Sequence, residues 1–415
     1  MIIRGGTIVN ARGVERADIA IAGGQITAVG LNLDEDGEEL DASGLHVFPG
    51  GIDSHVHFNE PGRTDWEDIA HGSAALAAGG YTAFIDMPLN NLPVTTTVDA
   101  FELKLAAMQR SAKVDFGLWG GLVPDNLDQL EPLVRRGAMG FKAFMCPSGI
   151  DEFPACDEGT LREGMKRIAE LGSILLVHAE DPALLLEPAG PTARDFLDSR
   201  PPEAEVRAIE RCVALSEETG CAVHIVHVST ARGGVVSYVG NVTAETCPHY
   251  LLYTDSDIER LGGLAKCAPP MRTDRDREFL WQMHFVVSDH SPSTLALKQG
   301  DDFRKIWGGI SGCQSTRQLL LGQGRLELRW IAAFTSTNIA NRFGIPRKGR
   351  ITPGFDADLW IVDLSHDDVV RREDLLYKNQ FSVHENQKIR GKTVTTLVRG
   401  REPGSGQFIR PGARS

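Results

Sequence analysis

Two histidines separated by one residue, in Asp53-Ser54-His55-Val56-His57, are the sharpest chemical signal in the chain. On a strand, a side-chain period of two puts both imidazoles on one face, where their ring nitrogens can grip one divalent cation. Alone, such a pair reads as two surface histidines. Here it follows Pro49-Gly50-Gly51-Ile52 at the end of the first barrel-like strand, and barrel enzymes place their chemistry where strands end. Three further apolar runs end in possible ligands: Ile174–Val177 delivers His178, Val223–Val226 offers His224 and His227, and Phe285–Ser288 ends at Asp289. His224 and His227 fall on opposite strand faces. His227, nearer the C-terminal edge, is expected to point inward, with His224 packed among core side chains. Any one of these residues by itself reads as a core or capping group, but four strand ends sharing one rim do not.

Lys142 sits in Gly140-Phe141-Lys142-Ala143-Phe144, flanked by apolar side chains that should remove it from water. Desolvation disfavours the ammonium and leaves a neutral amine, which can add carbon dioxide to form an anionic carbamate with two oxygens, enough to bridge two cations. Without the histidines the better reading would be a lysine snorkelling from a half-buried strand.

The elements that must position these groups follow from texture along the 415 residues. Residues 1–48 read as short strands, Met1–Val9, Ile19–Ala22 and Gln25–Val29, with Gly23-Gly24 supplying the positive φ angles of a tight hairpin. From 49 to 343, short apolar strands alternate with helical stretches, such as Tyr81–Met87 with Val98–Arg110 and Ser173–Val177 with Glu203–Thr219. Repeated βα units predict a closed eightfold parallel barrel. One connection, Trp281 to His284, is short for such a unit. Over 344–415 the strand texture returns in Asp358–Val362 and Val394–Arg399, after the turn-rich stretch Gly349–Gly354, so the two chain ends are expected to form one small β domain. The Gly/Pro/Arg-rich tail after Glu402 reads as mobile.

Composition narrows the partners. Lys plus Arg number 43 against 56 Asp plus Glu, a net charge of −13 that disfavours nucleic acid and anionic membrane surfaces. No apolar run approaches the roughly 18 residues of a membrane span. The N-terminus lacks a basic and a long apolar segment, so the cytoplasm is the expected location. Seven scattered cysteines without a CxxC pair read as reduced core residues rather than a disulfide framework. A small uncharged substrate fits this chain better than a polyanion.

An ordered series of motifs then becomes specific: GGIDSHVHFNEPGRTDWED (50–68), GGYTAFIDMPLNNLPVTTT (79–97), GAMGFKAF (137–144), VHAED (177–181), HIVHVSTA (224–231), TAETCPHYL (243–251), KCAPPMR (266–272) and VVSDHSPS (286–293). Over nearly its whole length the sequence resembles the cyclic amidohydrolases, the group of dihydroorotases, hydantoinases and allantoinases, with the allantoinase branch nearest. The resemblance implies a distorted (β/α)8 TIM barrel with a small β-sandwich built from both termini, and homotetramers. It implies two divalent metal ions, with zinc expected, although manganese, cobalt and iron also suit the donors. By this resemblance His55, His57 and Asp289 bind one ion, His178 and His227 the other, and Lys142, as N6-carboxylysine, bridges them. Two such cations would lower the pKa of a shared water, and Asp289 would move its proton to the departing ring nitrogen. His249 in the CPHY segment reads equally as a pocket residue or as packing.

The substrate expected from the resemblance is allantoin, opened to allantoate in purine catabolism. Dihydroorotases hold a substrate carboxylate through groups at positions that here are Asn59, Leu89, Ala268 and Ser293, none of them cationic. An unpaired carboxylate there would be costly. Allantoin's neutral ureido arm instead suits Asn59, Asn90 and Ser293 as hydrogen-bonding partners. Hydantoinases and dihydropyrimidinases usually carry a tyrosine soon after the bridging lysine, whereas this chain has Phe144-Met145-Cys146-Pro147-Ser148. Hydantoinase, dihydropyrimidinase or dihydroorotase activity is therefore the alternative. A non-catalytic dihydropyrimidinase-related scaffold is disfavoured because all six implied ligands are present.

Overall fold

The computed structural model describes residues 1–35 and 37–412. Both chain ends contribute to one seven-stranded sheet: β1 (Ile2–Asn10), β2 (Gly13–Ala22), β3 (Gln25–Gly30), β4 (Glu39–Asp41) and β5 (His46–Pro49) from the N-terminal side, and β14 (Leu359–Val369) and β15 (Lys388–Leu397) from the C-terminal side. Its order is β15-β14-β5-β1-β2-β3, with β4 paired to β1. Alternating apolar residues, among them Ile3, Ile8, Ile19, Val47, Leu359 and Ile361, give it a core of its own. The β2–β3 hairpin turns on Gly23 and Gly24 at φ 59° and 83°, as their lack of a Cβ allows.

Between these ends lie the parallel strands that carry the chemistry. A three-stranded sheet holds β6 (Gly51–Val56), β7 (Tyr81–Asp86) and β8 (Asp115–Leu118). A five-stranded sheet holds β9 (Gly120–Gly121), β10 (Phe141–Phe144), β11 (Ile174–His178), β12 (Ala222–Ile225) and β13 (Val242–Ala244). Only Trp119 separates β8 from β9, and its N–H donates to the Asp86 carbonyl, so these two short strands act as one stave. The expected strand Phe285–Ser288 does not form a continuous ladder. It joins its neighbours through isolated bridges, Thr246 to Val286 and Val56 to His290, because the chain turns through a left-handed conformation at Asp289, φ 46°. Through those bridges the staves form the ring of a distorted (β/α)8 barrel, with helices such as Val98–Ser111, Glu158–Glu170 and Pro202–Thr219 between them. The short connection Trp281–His284 is spanned by consecutive tight turns, Gln282 N–H to Phe279 and Met283 N–H to Leu280.

The C-terminal tail departs from expectation. Through residue 412 it is docked rather than loose: Gly406 N–H donates to the Ala112 carbonyl at 2.8 Å, Ile409 N–H to Phe116 at 2.7 Å, and the Phe408 ring packs on Phe101 and Phe116. The tail pairs with the main chain of β8 at Phe116, through Gln407 and Ile409, while Phe408 packs over the buried Phe101 and Phe116 rings. The last three residues, to which the same expectation applied, lie outside the described residues.

A buried charge cluster rivets the terminal sheet to the barrel. Lys348 Nζ lies 2.8 Å from Asp115 on β8, 3.2 Å from Asp356 and 2.6 Å from Asp358 just before β14. All seven cysteines are buried and unpaired in disulfides. Among the described residues no helix is long and apolar enough to cross a membrane.

Candidate metal centre

Every residue of β6 is buried, and its C-terminal end delivers the histidine pair. His55 Nδ1 lies 2.5 Å from a Glu245 carboxylate oxygen, which leaves Nε2 3.2 Å from Asp289 Oδ1. His57 Nε2 approaches the same Asp289 oxygen at 3.5 Å. The loop behind them is pinned by two more buried groups. Asp86, at the end of β7, accepts the Phe58 N–H at 2.8 Å, and Lys104 reaches Asp86 and the Glu60 carbonyl, each at 2.8 Å.

On the other side, His178 at the end of β11 has Nδ1 3.0 Å from His227 Nε2. Its Nε2 is 2.7 Å from Glu180, which in turn pairs with Arg200 at 2.5 Å. Burial pushes the Glu180 carboxyl up, but Arg200 and His178 outweigh it and hold the group well below the usual carboxylate range. The His178 ring stacks on Phe144 with centroids 4.6 Å apart. Burial also drives His55 and His227 well below the ordinary imidazole value, so both are neutral ligand-ready rings.

Lys142 lies on β10 between β9 and β11, 1% exposed, and its Nζ has no hydrogen-bond partner among the described residues. Burial pulls its pKa down to about 7, so a large fraction is the free amine near neutrality. A buried amine without a partner is costly unless something else completes it. Together with neutral imidazoles and the Asp289 carboxylate, it makes a donor set that suits a borderline divalent ion. The residues present therefore fit a metal centre.

His55, His57, Lys142, His178, His227 and Asp289 all line one cavity of about 330 Å³, together with Leu89, Asn90, Phe144, Ala268 and Ser291. Three cavity residues, Asn90, His227 and Asp289, hold left-handed backbones at φ 74°, 41° and 46°. Non-glycine residues adopt this region at a cost of roughly 1 kcal/mol or more, which the surrounding structure must offset.

Two expected substrate contacts do not reach the wall. The alternation that places His55 and His57 stops with β6 at Val56, and Asn59 turns away, its N–H donating to the Glu67 carbonyl at 3.1 Å and its side chain fully buried. Ser293 lies beyond the left-handed turn at Asp289 and donates to the Thr294 carbonyl, while Ser291 occupies the wall instead, its Oγ 3.1 Å from Asp289. Asn90 does line the cavity. His224 is fully buried between Thr243 and Glu245, and His249 lies behind the wall with donor atoms within 4.8 Å of Cys247 and Asp289. Sequence reasoning passed over Glu245 and Glu180, although both lie in quoted motifs. For Glu180 a signal existed, a carboxylate two residues after a strand-end histidine. Glu245 becomes legible only when segments 190 residues apart meet.

The sequence pattern of the amidohydrolase family matches residues 46–402. A protein from Rubrobacter xylanophilus named allantoinase is 48% identical, the match covering 99% of this chain and 97% of that protein. Another so named, from Solibacter usitatus, is 45% identical over 100% of this chain and 97% of its own length. Among solved structures, an L-hydantoinase (dihydropyrimidinase) from Arthrobacter aurescens superposes with a TM-score of 0.94 at 30% identity, covering 99% of each chain.

Proposed function

The chain belongs to the amidohydrolase family, and from that premise we propose that it is a hydrolase that opens the hydantoin ring of allantoin to give allantoate. The observation that carries the substrate is full-length identity of 48% and 45% to proteins named allantoinase, against 30% to the solved hydantoinase. The cavity wall supports it. Leu89 and Ala268 are apolar. Lys305 is at the exposed rim, 3.8 Å from Asp302, while the cations deeper in the wall are already engaged: Arg200 by Glu180, Arg304 by Asp302 at 2.7 Å, and Lys266 by main-chain carbonyls. A substrate carboxylate would find no free partner among them, whereas a neutral ureido arm can use Asn90 and Ser291. Phe144, stacked on His178, lacks the phenol that the hydantoinase reading would want.

We assign His55, His57 and Asp289 to one divalent cation and His178 and His227 to a second, with carboxylated Lys142 between them; when bound, the ions, zinc by expectation, supply an acidified water and a Lewis acid for the ring carbonyl. The free amine of Lys142 adds carbon dioxide with release of one proton, and its buried position protects the carbamate. Glu245 fixes the tautomer and ring plane of His55, as Glu180 does for His178. Asp289, at the wall, accepts a proton from the attacking water and returns it to the departing ring nitrogen.

The barrel is assigned to residues 49–343 and the β-sandwich to 1–48 and 344–415, a division supported by the shared sheet of β1–β5 with β14 and β15. Homotetramer assembly and a cytoplasmic location complete the reading. The test is turnover of allantoin, hydantoin, dihydrouracil and dihydroorotate by protein supplied with divalent metal and bicarbonate. Allantoin is expected to be fastest, and faster turnover of any of the other three overturns the substrate.

A further inference from the structure

One wall of the cavity is a segment with little regular structure: a single short helical turn at Phe303–Lys305, then Ile306, Trp307, Gly308 and Gly309. Its main-chain carbonyls have no ladder to join, yet several are buried and must find donors. Two lysines supply them. Lys266 Nζ donates to the carbonyls of Phe303 at 2.6 Å, Arg304 at 3.3 Å and Ile306 at 2.7 Å. Lys298 Nζ donates to Trp307 at 2.8 Å, Gly309 at 2.7 Å and, at 3.4 Å, the carbonyl of Lys266 itself. Both side chains are buried, at 7% and 4% exposure, and every hydrogen bond described for them goes to main chain. Burial pulls their pKa values down, to about 8 for Lys266 and about 7 for Lys298, yet unlike Lys142 each amine is surrounded by three carbonyls, which favour the protonated form with its three donors and no acceptor.

The fixed position matters because the segment has no slack. Gly309, at φ 146°, runs so close to the segment bearing Asp289 that a Cβ on it would lie 2.4 Å from the Ser291 carbonyl oxygen. Gly309 N–H also donates to the Lys266 carbonyl at 2.8 Å. At its centre Trp307 meets Trp66, in the loop after β6, edge to face at 4.8 Å. The segment thus touches the stretches that follow both metal-side strands, and its placement decides the space left for a ring substituent.

We infer that Lys266 and Lys298 are positioning residues that hold the 303–309 segment as a rigid cavity wall and so determine which ring substituents the site admits. This rests on the cyclic-amide reading for its kinetics but not for its structural readout. In metal-loaded Lys266→Met and Lys298→Met enzymes, amide hydrogen exchange over 303–309 is expected to rise about tenfold, the size of one lost charge-assisted hydrogen bond, with exchange over 51–58 and 174–178 unchanged. KM for allantoin is expected to rise by about tenfold with kcat within about threefold, and the preference for allantoin over unsubstituted hydantoin to shrink. Unchanged exchange over 303–309, or a fall in kcat at constant KM, overturns the inference. If the methionine variants do not fold, Lys266→Gln and Lys298→Gln, which keep two donors without the charge, carry the same readouts. If wild type turns over another cyclic amide faster than allantoin, the substrate assignment fails while the exchange result still decides the role of the lysines.

Discussion

Glu245 illustrates how much of the centre depends on groups that never reach the cavity. It is fully buried and bonds both His55 and His224. Replacing it with glutamine keeps the volume but weakens the grip on the His55 ring. The Glu245→Gln protein is expected to bind divalent metal about 10- to 100-fold more weakly, the usual cost of removing such a support. Competition with a chelating dye measures this, and unchanged affinity would show that His55 is held by packing alone. At this scale the sequence was readable wherever a period of two applied. His55 and His57 share a face, and His178 and His227 arrive at strand ends. Asn59 and Ser293, expected at the substrate from motif position rather than from alternation, do not line the cavity: alternation says nothing once the chain has left the strand, and Ser293 follows a left-handed residue that no spacing announces.

Elements were legible where local chemistry decides conformation. Gly23-Gly24 specified its hairpin, and the βα alternation specified the staves. The tail was not, because its glycines, prolines and arginines conceal two apolar residues, Phe408 and Ile409, whose docking site is built by distant β8. The apolar run 285–288 predicts a strand, but pairing depends on neighbours and on the turn that follows. Within the terminal sheet, Asp18 on β2 accepts N–H groups from Gly5 at 2.8 Å and Leu33 at 3.2 Å and pairs with Arg4. The Gly5 hydrogen bond chiefly, with burial opposing and Arg4 assisting, holds its carboxyl below the usual value of 3.8. A depressed carboxylate stabilises the fold fully above that value and ceases to do so as pH falls through the folded one. Wild type should therefore exceed Asp18→Asn in urea stability most clearly well above the usual carboxylate value of 3.8, with the gap closing as pH falls below it. A gap independent of pH would assign the effect to packing.

For the whole molecule, the point of interest is the rivet at Lys348, which joins the terminal sheet to the barrel through three aspartates. Their attraction outweighs burial and raises the pKa of the lysine, which stays charged. Removing only the cation leaves carboxylates buried and uncompensated except by Arg347 and Arg399, a change that typically costs about 3–5 kcal/mol. Lys348→Met should unfold in less denaturant at pH 7. It should recover part of the loss as pH is lowered toward 5, since burial raises the carboxyl pKa of Asp358 and protonation relieves the charge. Equal unfolding midpoints for variant and wild type at pH 7 would mean that the charge cluster adds nothing net to the joint, leaving it to apolar contact and to hydrogen bonds such as those from Thr393 and Thr396 to the carbonyls of Ala78 and Ala77. The overall plan of barrel and end-formed sheet was visible in sequence texture, but this joint was not, since Asp115 and Asp358 lie far apart in the chain.

The seven cysteines carry a consequence of their own. With every thiol sealed inside, an alkylating reagent in solution finds no target on the intact fold and reacts only with molecules that have come apart. The chain thus contains a built-in chemical clock for its own opening, one that alkylation reads without a dye or an added mutation.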